Sequence, residues 1–162
     1  MKKISKILIL GGPGSGKTTL ANKLKKLFEL PIINLDNINY KKDWISRDKK
    51  ERDNIIQRKI NEDEWIMEGV YKSTLKQRAD VADLIIFLEY PTHYLIFRII
   101  KRYICNFGKE KKELDGCKER LTWNFIKYTL LFNSKKKSIY EILNKVDDIE
   151  NKLIIFKNGR IS

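Results

Sequence analysis

Cysteine is scarce in this chain. Cys105 and Cys117 are the only two, twelve positions apart, which is neither a disulfide framework nor a C-x-x-C site. Histidine is scarcer still: His93 stands alone after Pro91-Thr92, with no Cys or His near it at metal spacing, so no zinc site is apparent. Long apolar runs are missing as well. None approaches the roughly 18 residues that a bilayer span needs. The opening Met-Lys-Lys-Ile-Ser-Lys has no long apolar segment with a small-residue cleavage site. No membrane role and a cytoplasmic location are the expectations. Prolines number three and glycines eight, and neither a repeat nor a low-complexity linker divides the 162 residues. One domain spanning 1–162 is the simplest organisation.

Acidic residues are also in short supply, 21 against 34 Lys and Arg, for a net charge of +13. That excess implies an anionic partner. It is concentrated: the stretch 98–137 holds twelve Lys or Arg and four Asp or Glu, a net of +8.

What is present begins with Gly11 to Thr18, Gly-Gly-Pro-Gly-Ser-Gly-Lys-Thr, which fits G-x-x-x-x-G-K-[ST]. The context fits too. Ile7-Leu8-Ile9-Leu10 is a continuous apolar run, as a strand buried on both faces requires. Thr18 to Glu29 reads as a helix with Leu20, Leu24, Leu27 and Phe28 on one side. Glycines let successive N–H groups turn inward toward a polyphosphate, and the helix aims its positive end at the same place. Gly11, Gly12, Pro13, Gly14, Ser15, Gly16, Lys17, Thr18 and Thr19 are thus the expected ATP site. Lys17 serves the outer phosphates, and Thr18 offers a hydroxyl to Mg²⁺.

The rest alternates. Ile32 to Leu35 reads as strand two, ending at Asp36. Asn37 to Arg47 reads as a polar, aromatic loop, and Asp48 with Glu51 as a capping box. Glu64–Glu68 reads as strand three, and Tyr71 to Ala79 as a short helix or turn. Leu84–Leu88 reads as strand four, followed by a helix from Thr92 to about Phe107. Gly108–Gly116 reads as a charged loop, Lys118–Phe132 as a helix, Lys135-Lys136-Lys137 as a separator, Ser138 to about Glu150 as another helix, and Lys152–Phe156 as strand five. This predicts a three-layer α/β fold of the P-loop NTPase type. A five-stranded parallel sheet would carry helices on both faces, with a basic helical insertion over the site at about 107–137.

Ligands of open parallel sheets collect at the carboxyl ends of the strands. Glu68 is placed there as a Mg²⁺ ligand beside Thr18, and Asp36 to orient or deprotonate an acceptor hydroxyl. Arg98, Arg102 and Arg120 are candidates to stabilise the transferring phosphoryl group, since a guanidinium matches its oxygens bidentately. Trp44, Arg47 and Arg78 lie in loops where an acceptor could bind. Trp65 and Trp123 read as packing residues. Asn144-Lys145-Val146-Asp147 imitates the guanine-reading N-K-x-D, but it follows no strand and is set aside.

The phosphate loop, with Met67-Glu68-Gly69 and Ile86-Phe87-Leu88-Glu89-Tyr90-Pro91, resembles that of adenylate-kinase-like enzymes. The chain as a whole is similar to the bacterial "DNA topology modulation protein" family of small P-loop proteins. The matching stretches are Asn34-Leu35-Asp36 with Tyr40 and Trp44, Trp65 through Tyr71, Arg98 with Lys101-Arg102, and Gly116-Cys117 through Trp123-Asn124-Phe125. The resemblance implies a five-stranded parallel sheet, a mobile lid, and kinase-like chemistry on ATP and a small acceptor, with Gly69 and Tyr71 joining the acceptor contacts. The competing expectation is an ATP-binding regulator that meets nucleic acid through its basic surface, although no nucleic-acid-binding signature accompanies the charge.

Overall fold

The computed structural model describes residues 3–109, 117–118 and 120–161. Six strands form one sheet: β1 (Lys6–Gly11), β2 (Ile32–Asn34), β3 (Trp65–Glu68), β4 (Leu84–Glu89), β5 (Leu153–Lys157) and β6 (Arg160–Ile161). Their order is β2-β3-β1-β4-β5-β6. The first five are parallel, and β6 pairs antiparallel with β5. The sixth strand is an addition to the expected five. Asn158 and Gly159 both have positive φ, 53° and 82°, as a tight two-residue hairpin turn requires.

Alternation along β1 divides the core in two. Ile7 and Ile9 point to one face, with Ala21, Leu30, Ile66, Ile86 and Leu88. The helix α1 (Lys17–Phe28) covers that face with Leu20, Leu24 and Phe28, while Leu27 turns out to solvent. Leu8 and Leu10 point to the other face, with Trp65, Met67, Ile85 and Phe87. There α3 (Lys49–Ile60), α4 (Leu75–Val81) and α7 (Phe132–Leu143) pack through Ile56, Ile60, Leu75, Ala79, Phe132, Ile139 and Leu143. Helices thus lie on both faces of a mostly parallel sheet.

Several boundaries differ from the expectation, each for a local reason. Strand two stops at Asn34, because its side chain accepts from the N–H groups of Asp36 and Asn37 and caps α2 (Leu35–Asn39). Asp36 therefore sits in a first helical turn, not at a strand end. Asp48 does cap α3, accepting from Lys50 and Glu51 N–H, and those bonds hold its carboxyl below the usual range. The Glu51 side chain instead pairs with Arg47 at 2.8 Å. The helix α5 (Thr92–Cys105) starts at Thr92 as expected and ends two residues before Phe107; Pro91 flanks its start, and the Thr92 hydroxyl accepts from Asn133.

The Lys135–Lys137 run does not separate two helices. The break falls at Leu131, between α6 (Trp123–Leu130) and α7, and α7 runs through the lysines. Lysine is a good helix former and needs only solvent or a partner; Lys136 reaches Glu89 at 3.6 Å, and Lys135 lies over the Tyr128 ring. Residues 118–122 were expected to be helical; the described ones are not, and Thr122 caps α6. Most of the expected 108–116 loop lies outside the described residues. Trp65 is fully buried as expected, whereas Trp123 is 73% exposed. Asn144 to Asp147 form a turn before α8 (Ile149–Lys152), with no strand preceding them.

Phe87 is fully buried on the central β4 and packs against Tyr140, ring centroids 5.3 Å apart. Phe87→Ala should lower the unfolding free energy by about 3–5 kcal/mol, read from urea denaturation. A loss below about 1 kcal/mol would contradict this account of the core.

Candidate active site

Between β1 and α1 the chain makes a loop that only glycine permits at key points. Gly16 is left-handed, φ 95°, and forms the N-cap of α1 without any side-chain cap bond; the first turn holds no acidic residue. The opening amides of α1 thus face the cleft as an anion-binding helix end. A Cβ on Gly12 would meet Leu95 Cδ1 at 2.8 Å and Phe132 Cδ1 at 2.9 Å, so the loop lies against α5 and α7 as closely as backbone alone allows. Lys17 Nζ donates to Gly12 O at 2.9 Å, within its own loop. Ser15 Oγ is buried with no hydrogen-bond partner among the described residues. Arg98 Nη1 donates to Ser15 O at 3.4 Å, and its guanidinium lies beside Gly16. A cationic, donor-rich cradle of this kind fits a polyphosphate.

The carboxyl ends of β2 and β3 complete the site. Thr18 Oγ1 donates to Glu68 Oε2 at 3.0 Å, and Asn34 Nδ2 donates to Glu68 Oε1 at 2.7 Å. Asn34 caps the helix that carries Asp36, and Tyr71 donates to Asp36 Oδ1 at 2.8 Å. Burial first, then the Asp36 charge and this bond, push the Tyr71 phenol well above its usual range, so it stays a donor. Burial and Asp36 also push Tyr40 up, with Arg120 opposing. Tyr128 is raised by burial and more weakly by Asp36 and Tyr40. Asp36 therefore sits among three neutral phenols.

One cavity of about 1540 Å³ joins the two halves. Single-ligand pockets commonly measure ~300–1,000 Å³, so this one has room for two substrates. Of the expected phosphate-loop residues, Gly11, Pro13, Gly14, Gly16, Lys17, Thr18 and Thr19 line it, while Gly12 and Ser15 are buried behind. Asp36, Trp44, Glu68, Gly69 and Tyr71 line it as well, and so do Arg98, Arg102 and Arg120. Thr18 and Glu68 offer hard oxygen donors side by side. No group of three or more His, Cys, Asp or Glu suited to a metal occurs among the described residues. A hydroxyl and a carboxylate 3.0 Å apart fit an ion such as Mg²⁺, which takes most of its ligands from phosphate and water.

Two expected acceptor contacts are not brought here. Arg47 lies outside the cavity wall and pairs with Glu51. Arg78 is fully buried, donating to the carbonyls of Gly69, Val70 and Tyr71 at 2.9, 2.7 and 2.9 Å. Burial pushes its guanidinium down to about 9, against the pull of Asp53 and Tyr71, so it remains a cation at neutral pH. Its place is beneath the loop that delivers Tyr71 to Asp36. Conversely, Asn34, Arg52, Tyr40 and Tyr128 line the cavity without having been assigned roles. For Asn34 the signal was legible, an Asn two residues before Asp36 at a helix start. For Arg52 and Tyr128 sequence spacing carries none.

The sheet, its flanking helices and the phosphate loop define the α/β fold of P-loop kinases. The chain is similar to the adenylate kinase isoenzyme 6 homologue of Plasmodium falciparum, 29% identical over an alignment of 192 positions that covers 99% of this chain and 98% of that one. Among solved structures it resembles shikimate kinase from Acinetobacter baumannii in complex with shikimate (TM-score 0.58, 15% identity, 86% of this chain and 80% of that one). It also resembles a gluconokinase from Sinorhizobium meliloti (TM-score 0.55, 14% identity, 99% and 86%). Shikimate kinase from Bacteroides thetaiotaomicron matches at TM-score 0.57 and 16% identity, over 96% and 87%. No family model matches the chain.

Arg78→Met should destabilise the protein by about 3 kcal/mol or more, because three carbonyls lose their donor inside the protein. Arg78→Lys should recover only part, since an ammonium cannot span them all. Urea unfolding of both variants reads this; wild-type stability in the Met variant would contradict the assignment.

Proposed function

We propose that the protein is a phosphotransferase that moves the γ-phosphoryl group of ATP to a small acceptor. The observation that carries the reading is one cavity with a phosphate cradle, Lys17 and Arg98 on one wall and the Asp36 carboxylate on the other. The similarity to an adenylate kinase homologue, and the shared fold with shikimate kinases and a gluconokinase, support it. The residues quoted from the sequence support grouping the chain with the small P-loop proteins named for DNA topology modulation.

The loop amides and Lys17 bind the ATP phosphates, and Lys17 leaves Gly12 O to do so. Thr18 and Glu68 would hold Mg²⁺, which would supply neutralising charge to the phosphates. Asp36 accepts the proton of the attacking hydroxyl. Arg98 and Arg102, one turn apart on α5, meet the equatorial oxygens. The described part of the basic stretch lends Arg120, Thr122 and Tyr128 to the cavity wall, where they help to keep water from the phosphoryl group. No described helix is long and apolar enough to cross a membrane. The nucleic-acid reading gains no support, because Arg98, Arg102 and Arg120 line a concave cavity.

Incubating the protein with γ-labelled ATP, Mg²⁺ and pooled nucleosides, nucleotides and hydroxylated metabolites should label an acceptor. Lys17→Ala should reduce the transfer at least about 100-fold. Equal labelling by the two proteins would overturn the reading.

A further inference from the structure

The acceptor half of the cavity also carries information about what is phosphorylated. Its cations divide into those already engaged and those held ready. Arg52 donates from Nε and Nη2 to Asp53, from Nη1 to Asn39, and from Nη2 to Ser73, and it stacks over the Tyr71 ring at 4.9 Å. Lys72 is bonded to Ser138. These two are structural. Arg120 differs: its guanidinium lies over the Trp44 ring, 4.6 Å from the centroid, and among the described residues it has no carboxylate or carbonyl partner. Lys135 lies likewise over Tyr128 at 4.5 Å. Stacking on a ring fixes a guanidinium while leaving its in-plane N–H fork open to an anion.

Trp44 is itself held in place. It has a left-handed backbone, φ 61°, following Asp43 at φ 59°. Its indole N–H donates to Lys118 O at 2.9 Å, and Tyr40 packs edge-on against it. The platform beneath Arg120 is thus anchored to both the β2–α3 connection and the segment that precedes α6.

Resting on the phosphotransferase reading above, we infer that the acceptor is a small hydroxylated carboxylic acid, with a hydroxyl at Asp36 and its carboxylate at Arg120 and Lys135. Asp36 Oδ1 takes the Tyr71 hydrogen bond, and Oδ2 has no partner among the described residues. Oδ2 takes the proton as the acceptor oxygen forms its bond to the γ-phosphorus; the bond from that phosphorus to the β–γ bridging oxygen breaks, and ADP leaves with the electron pair. A nucleoside monophosphate fits poorly. Its attacking phosphate oxygen is already ionised, needs no base, and is repelled by the Asp36 carboxylate. A neutral polyol would leave two cations without a counter-charge.

The test uses the full-length protein with ATP and Mg²⁺ and three probe sets. The first is glycerate, gluconate, shikimate and quinate; the second is the methyl esters of those acids; the third is AMP, GMP, CMP, UMP and dTMP. One of the acids should be the best acceptor, with its methyl ester poorer by about tenfold or more in kcat/KM and the monophosphates poorer still. Arg120→Gln, at an exposed position, should raise KM for that acid about tenfold, leave KM for ATP within about twofold, and erase the acid-over-ester preference. Asp36→Asn should lower kcat about 100-fold or more. Transfer to a monophosphate above that to every acid, equal use of acid and ester, or transfer to none of the acids overturns this inference. The parent reading falls separately, if Lys17→Ala transfers the γ-phosphoryl group to the pooled acceptors as fast as the wild type.

Discussion

The Glu68 carboxylate, 3% exposed at the end of β3, is the point on which both halves of the site depend. A buried carboxylate costs several kcal/mol unless its oxygens find donors. Here one oxygen takes the Thr18 hydroxyl and the other takes the Asn34 amide. The first partner opens the phosphate-loop helix. The second caps the helix that carries Asp36. The need to satisfy one buried charge therefore fixes the distance and orientation between the phosphate cradle and the acceptor carboxylate. The parallel register supplies the rest, since β3 lies between β1 and β2 and all three end on the same side.

A second buried charge supports the first from behind. Arg78 gathers the carbonyls of Gly69, Val70 and Tyr71, the residues directly after Glu68. The loop so held carries Tyr71 to Asp36, and Arg52 lies across the Tyr71 ring. Around the cavity, positive charge is stored on aromatic faces, Arg98 over Tyr94, Arg120 over Trp44 and Lys135 over Tyr128. A ring face orients a cation without neutralising it, which suits a site whose ligands are anions.

How much of this was legible depended on how local the cause was. The phosphate loop and its flanking strand and helix follow from adjacent residues, and so do the five parallel strands, though not the short antiparallel β6. Glu68 beside Thr18 was legible because a strand end next to β1 leaves few other positions. Asp36 was placed at the site, but on a strand end, since the competing helix is nucleated by a single Asn34 side chain. Arg47 and Arg78 looked alike on paper. What distinguishes them from Arg98 and Arg120 is burial and partner, and both arise from packing between elements far apart in the chain. The Lys135–Lys137 run looked like a break because charge was read as loop; in the folded chain one face of that helix is solvated and its lysines find Glu89 and Tyr128.

The most direct test of the central claim is a crystal structure of the protein with Mg²⁺ and a non-hydrolysable ATP analogue. The account predicts the β- and γ-phosphates against the main-chain amides of Gly14 through Thr18, with Lys17 Nζ moved from Gly12 O onto a phosphate oxygen and Mg²⁺ beside Thr18 and Glu68. Phosphates bound elsewhere, or a Lys17 still held by Gly12 with the analogue present, would contradict it.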